Sequence, residues 1–178
     1  MSQLALGTDT PGGIAGGVLV IGYGNALRSD DAVGLRVANL LADDPRLAGV
    51  EVGASHQLTP ELALDMSRAS LVILIDASTE GQPGAITVRP LKAADTEAAD
   101  HRPGAMSHHV AADVLLAIAR DLYGATPRAF VVSVGTATMD VGEKLSPPVA
   151  AALPAIVDAV ANLVEAHRRS RAPSDGTG

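Results

Sequence analysis

The 178-residue chain contains no cysteine and no tryptophan, and its aromatic side chains are one phenylalanine and two tyrosines. Without cysteine there can be no disulfide, no zinc–thiolate centre, no protein-ligated iron–sulfur cluster and no thiol nucleophile. Cations are also in short supply: 13 Lys and Arg stand against 20 Asp and Glu, a formal charge of −7. Such a chain lacks both the basic footprint that neutralises phosphates and the rings that stack on bases, so nucleic acid is not an expected partner. Long hydrophobic runs are missing as well. Ile14–Tyr23 is short and rich in glycine, and Val149–Val164 is interrupted by Pro154, Asp158 and Asn162. A membrane span needs roughly 20 apolar residues in succession, so none is expected. The opening MSQLALGTDTPGG has no basic stretch ahead of an apolar one. No secretory signal is read there, and the expected compartment is the cytoplasm.

The residues that are present specify a globular domain. Hydrophobic residues make up 47% of the chain and charged ones 19%, enough to build a core at this length. Residues 1–16 read as a flexible leader, 17–168 as one domain and 169–178 as a disordered tail. Within the domain, Val18–Ile21 is a β-branched run, followed by a loop and by Val33, Val37, Leu40 and Leu41 at the spacing of one helix face. Val50–Val52 suggests a second strand. Thr59-Pro60 carries the signature of a helix start, with Leu62, Met66 and Ala69 as its inner stripe. Leu71–Ile75 is apolar throughout, as expected for a strand covered on both faces.

Ala85–Val88 follows the third strand too soon for a parallel crossover, so this fourth strand is expected to run antiparallel. A helix is expected from His109 to Leu122, with Val110, Val114, Leu115 and Ile118 inward. Phe130–Val134 reads as a fifth strand and Ser146-Pro147 as the start of a helix reaching about His167. This order predicts an α/β fold: a single three-layer α/β/α domain whose five-stranded mixed sheet is mostly parallel, with one antiparallel strand and helices on both faces.

In such sheets ligands bind beyond the carboxyl ends of the strands. The polar residues expected there are Gly22–Asp31 after the first strand, Asp76 after the third, Ser107-His108-His109 at the start of the third helix, and Gly135–Thr138 after the fifth. Gly22 and Gly24 suggest a dinucleotide loop, but Leu27 occupies the position of the third glycine, and Asp30 and Asp31 would repel a pyrophosphate. Taken singly, Asp30 or Asp31 could cap a helix, Asp76 could end a strand, and His108 or His109 could merely open a helix. Together they make an oxygen and imidazole donor set suited to nickel, zinc or non-haem iron. No G-x-S-x-G, H-E-x-x-H or P-loop pattern is present.

The run Val20-Ile21-Gly22-Tyr23-Gly24-Asn25-Ala26-Leu27-Arg28-Ser29-Asp30-Asp31-Ala32-Val33-Gly34 resembles the signature of the nickel–iron hydrogenase maturation proteases, with Ala32 where glycine is usual. The resemblance continues through Val72–Ala77, Ser107-His108-His109 and Gly142–Pro147. It implies an endopeptidase that removes the C-terminal extension of a nickel–iron hydrogenase large-subunit precursor after nickel insertion. It also implies that Asp31, Asp76 and His108 are the catalytic and nickel-contacting residues, with Asp30 a structural neighbour. The implied nickel comes with the precursor, so no stored cofactor is expected, and a monomer is expected. A non-catalytic nickel-binding maturation chaperone of the same fold is the alternative. A nucleotide-binding module is a third reading.

Overall fold

The apolar runs of the sequence become five strands in one sheet of order β2-β1-β3-β5-β4. The computed structural model describes residues 16–95 and 108–172, with the side chains of residues 108–111 excepted. The strands are β1 (Gly17–Tyr23), β2 (Glu51–Ser55), β3 (Ala69–Ser78), β4 (Ile86–Pro90) and β5 (Arg128–Gly135). The helices are α1 (Val33–Ala42), α2 (Leu62–Arg68), α3 (His108–Tyr123) and α4 (Pro147–Arg171). β1, β2, β3 and β5 are parallel, and β4 pairs antiparallel with β5 from Ile86 opposite Val134 to Pro90 opposite Phe130. The expected mixed α/β sheet, with its one antiparallel strand, is what forms.

Strand residues alternate between two cores, because successive side chains point to opposite faces. Val18, Val20, Leu71, Ile73, Ile75, Val132 and Val134 meet Val33, Val37 and Leu41 of α1 and Val149, Ile156, Val160 and Val164 of α4. Leu19, Ile21, Tyr23, Val72, Leu74 and Val131 meet Leu62 and Met66 of α2 and Leu115 and Leu116 of α3. β3 is central and hidden on both sides, which is why its sequence reads as an unbroken apolar run.

Three boundaries and one buried helix face differ from the sequence reading. β3 continues past Ile75 to Ser78, because β5 supplies pairing partners as far as Gly135. α2 starts at Leu62 and not at Thr59-Pro60: the Thr59 and Pro60 carbonyls accept from Leu62 and Ala63 in a tighter preliminary turn, and no side chain caps the helix. In α3 the inward face is Ala112, Leu115, Leu116 and Ala119, while Val114 is exposed. Small alanines let this helix lie close to α2, and that rotates its buried stripe. α4 runs four residues beyond His167, to Arg171, and Arg168 donates to the carbonyls of Arg46 and Ala48, which holds that last turn in place. By length and mean hydropathy of 1.6, α4 would pass as a membrane span. Its Val149, Ile156, Val160 and Val164 are instead spent on the core.

One close approach sets the position of everything that follows. Gly34, in the first turn of α1, lies so near β1 and β3 that a Cβ there would collide with the backbone oxygens of Tyr23 and Ile75. A Cβ on Gly22 would collide in turn with the carbonyl of Gly34. Two glycines thus allow helix and sheet backbones to touch. The helix–strand contact that the third glycine of a dinucleotide loop would make is made here farther along the chain. Leu27, at that glycine's position, points into solvent.

Candidate active site at the carboxyl edge of the sheet

Between β1 and α1 the chain makes a tight passage, Gly24 to Ala32, ending in a 3-10 turn at Ser29–Ala32. Gly24 has φ +141°, and a Cβ there would strike the Asp31 carbonyl, so the loop closes on itself only with glycine. Ser29 has a positive φ of 44° although it is not glycine. It is held there by three hydrogen bonds to the segment after β5. Its N–H donates to Gly142 O at 2.7 Å, its hydroxyl donates to Asp140 O at 3.0 Å, and Gly142 N–H donates back to Leu27 O at 2.9 Å. The Arg28 Nε–H donates to Met139 O and the Arg36 guanidinium to Glu143 O. Residues 137–146 therefore clamp the loop from outside.

Asp30 is the inner anchor of this clamp. It is fully buried, and its carboxylate accepts from Ala137 N (2.8 Å), Thr138 N (3.1 Å), Ser146 N (2.6 Å) and Ser146 Oγ (2.8 Å). Burial alone would raise its pKa. The hydrogen bonds from Ser146, Ala137 and Thr138 outweigh burial and hold the carboxyl below its ordinary value. Asp30 also serves α4, since Ser146 stands at that helix's N-terminus. Both of its oxygens are engaged, and through them it ties the loop to residues 137–146.

Asp31 points the other way. It is buried, with 6% of its surface exposed, and Oδ2 accepts from Asn25 N at 3.0 Å. Oδ1 is buried with no hydrogen-bond partner among the described residues. An unmet carboxylate oxygen is expensive to bury, and such atoms mark places where a ligand or ion completes the set.

Asp76 stands where the α2/α3 side of β3 turns from apolar to polar. It follows Val72 and Leu74 on that face and is buried. In register it lies opposite Ser133 of β5, and β1 ends beside it at Tyr23, one step beyond the pairing of Gly22 with Ile75. Burial raises the Tyr23 phenol far above its usual range. The neighbouring Asp76 carboxylate pushes the same way, as does Asp31 more weakly, against a lowering contribution from Arg89. The 3-10 turn that carries Asp31 packs against β3, the strand that carries Asp76, which places the two carboxylates at one edge of the sheet.

His108 is the first residue of α3. The helix ends at Tyr123, a few residues before β5 begins, so it starts about 24 Å back along the sheet at ~1.5 Å per residue, toward the edge where the parallel strands finish. Its imidazole, and that of His109, lie outside the described side chains, and Ser107 lies outside the described residues. Among the described residues no group of three His, Cys, Asp or Glu side chains forms a metal site. The structure therefore brings Asp31 and Asp76 together, separates Asp30 from them, and directs the start of α3 to the same edge.

No family model matches this sequence, and no curated protein matches it closely enough to count. Solved structures do. The hydrogenase maturating endopeptidase HybD of E. coli superposes with a TM-score of 0.66 at 24% identity, over 87% of this chain and 94% of its own. The hydrogenase 2 maturation peptidase of a Thaumarchaeota archaeon gives 0.61 at 25% identity, over 83% and 97%. An endopeptidase of E. coli studied in solution gives 0.61 at 25%, over 87% and 94%. With a shared fold, nearly complete coverage of these neighbours, and the glycine–aspartate loop and Asp76 at the expected edge, the chain is similar in structure to the hydrogenase maturation endopeptidases.

Proposed function

We propose that the protein cleaves the C-terminal extension from a nickel–iron hydrogenase large-subunit precursor once nickel is in place, and that Asp31, Asp76 and His108 meet the nickel the precursor carries. The observation that carries this reading is the buried Oδ1 of Asp31, unmet among the described residues, at the edge of the sheet where β3 carries Asp76. Two carboxylates and an imidazole form an oxygen–nitrogen donor set that accepts nickel and leaves positions for ligands from another molecule. A set so incomplete holds free metal weakly, so the protein carries no metal of its own and reads the precursor's.

Coordination would fix the scissile bond against the carboxyl edge of the sheet, and that positioning supplies much of the rate enhancement. A carboxylate at the edge would take the proton of the attacking water. Asp30, fully engaged with Ser146, Ala137 and Thr138, takes no part in the chemistry. The proposed place of work is the cytoplasm, and the proposed acting form is a monomer.

The test uses two preparations of one precursor, with and without nickel, incubated with the full chain and analysed by intact mass. Loss of a C-terminal peptide from the nickel-loaded form alone is the expected result. Equal cleavage of both forms would make the site an ordinary acid–base centre. Binding of the loaded form with no mass loss would make the protein a checkpoint chaperone.

A further inference from the structure

Among the described residues the Asp31 carboxylate accepts one hydrogen bond, from the N–H of Asn25 to Oδ2 at 3.0 Å. Oδ1 is buried and accepts none. That single bond decides which oxygen is tied to the loop and which is offered to the site. Hydrogen bonds to a carboxylate are among the stronger ones, and this one fixes a side chain that otherwise turns about two torsions.

The donor stands six residues before its acceptor, and two turns bring the chain back to it. Asn25 Oδ1 accepts from Leu27 N at 2.9 Å, two residues on, which is the bond of an Asx turn. Asn25 O accepts from Arg28 N at 3.1 Å, and Arg28 O from Asp31 N at 3.0 Å. Packing adds little here, since Asn25 is half-buried and Ala26, Leu27 and Arg28 are exposed. The Gly142 N–H holds the Leu27 carbonyl from outside, while the Asn25 carboxamide holds the Leu27 N–H from within. Alanine at position 25 would keep its backbone N–H but lose the inner hold, leaving the Leu27 N–H to water. The amide that meets Asp31 would then belong to a looser turn.

We propose that Asn25 is a positioning residue for Asp31: its carboxamide oxygen locks the turn whose first backbone N–H binds Asp31 Oδ2, so that Oδ1 is presented to the site in one orientation. The inference rests on the proposed role of Asp31. Asn25 acts through the loop and not on substrate, and what the place requires is an acceptor oxygen. Aspartate supplies one in the same position, and alanine does not.

The experiment compares the full-length protein with Asn25→Ala, with Asn25→Asp, and with Asn162→Ala on the exposed side of α4. Two quantities are read at one fixed pH: cleavage of nickel-loaded precursor, as separate kcat and KM, and the carbon-13 shift of the Asp31 Cγ. Asn25→Ala is expected to lower kcat about tenfold or more, with KM within about threefold, because the precursor still docks while the carboxylate loses its orientation. Its Cγ signal should move. Asn25→Asp should return kcat to within about threefold of wild type and restore the signal, and Asn162→Ala should change neither quantity. Wild-type kcat in Asn25→Ala overturns the proposal. So does lost activity with an unmoved Cγ signal, and so does an Asn25→Asp variant as impaired as Asn25→Ala. If the wild-type chain cleaves nothing, the functional reading fails, while the Cγ comparison still decides whether Asn25 sets Asp31. If Asn25→Ala does not fold, Asn25→Ser replaces it: a weaker acceptor should give a smaller loss of kcat with a smaller Cγ shift, and wild-type values of both overturn the proposal.

Discussion

Asp30 and Asp31 are adjacent in sequence and opposite in circumstance: the first accepts four hydrogen bonds, while the second leaves Oδ1 buried without one among the described residues. Under the proposed function the difference separates a scaffold group from a working one, and it predicts divergent mutants. Asp30→Ala strands the N–H groups of Ala137, Thr138 and Ser146 together and should destabilise the fold by about 3 kcal/mol or more. Asp31→Ala loses one bond to Asn25 but relieves an unmet oxygen, so stability should stay within about 1 kcal/mol of wild type while processing is abolished. Urea unfolding together with precursor cleavage checks both. Reversed effects would exchange the two roles.

The same anchor sets the acid limit of the fold. Asp30 has a lowered folded pKa, so its contribution is present above the ordinary aspartate value of 3.8 and is lost as pH falls through the lower folded one. Stability measured from pH 5 downward should decline, and Asp30→Asn should show a shallower decline over that window. An identical acid limb in the variant would place the sensitive group elsewhere.

At the opposite edge of the sheet, His167 is buried in α4 with Nε2 2.9 Å from Ser70 Oγ, and that hydroxyl lies 2.7 Å from Gly16 O. Burial lowers its pKa, and Arg171 and Arg128 add to the effect. The folded state therefore binds this proton less readily than the unfolded chain. Stability is complete above the unfolded value of about 6.5 and is lost progressively as pH falls below it toward the depressed folded value. Thermal unfolding between pH 7.5 and 5.5 should show the loss, and His167→Gln should flatten it. A slope unchanged by that substitution would rule His167 out as its source.

Gly34→Ala should be among the most harmful single-methyl additions, costing about 3 kcal/mol or more, because the new Cβ meets backbone of both β1 and β3, and neither can yield. Gly53→Ala, which meets nothing within 4 Å, should fold normally. Denaturation midpoints for the pair decide the matter. Near-wild-type stability in Gly34→Ala would show that α1 can lift from the sheet without loss.

At the start of α3, His108→Ala should abolish processing of nickel-loaded precursor with little change in melting temperature, and His109→Ala should retain most activity. The opposite pattern would shift the register of that helix at the site by one residue.

The sheet could be read in advance because its rules are local. Unbroken apolarity marked β3 as central, and the short link after it marked β4 as antiparallel. The ends of elements depend on partners far along the chain, and there the reading slipped. β3 persists through a buried aspartate because β5 continues beside it, and the last turn of α4 forms because Arg168 finds the Arg46 and Ala48 carbonyls. At the site, Asp31 and Asp76 stood out as carboxylates just after strands. The distinction between Asp30 and Asp31 did not, because every donor to Asp30 lies more than a hundred residues away.

The strand order has a further consequence, for the making of the chain. β4 is synthesised before β5, yet among the described residues β5 is its sole strand partner and lies between it and β3. Until residue 128 and those after it have left the ribosome, β4 has nothing to pair with, and β3 shows an open edge. The clamp on the aspartate loop waits longer still, for Ser146. A nascent chain can therefore assemble β1, β2 and β3 early, but the carboxyl edge closes only when most of the polypeptide is free. The enzyme's own competence is set late in its synthesis.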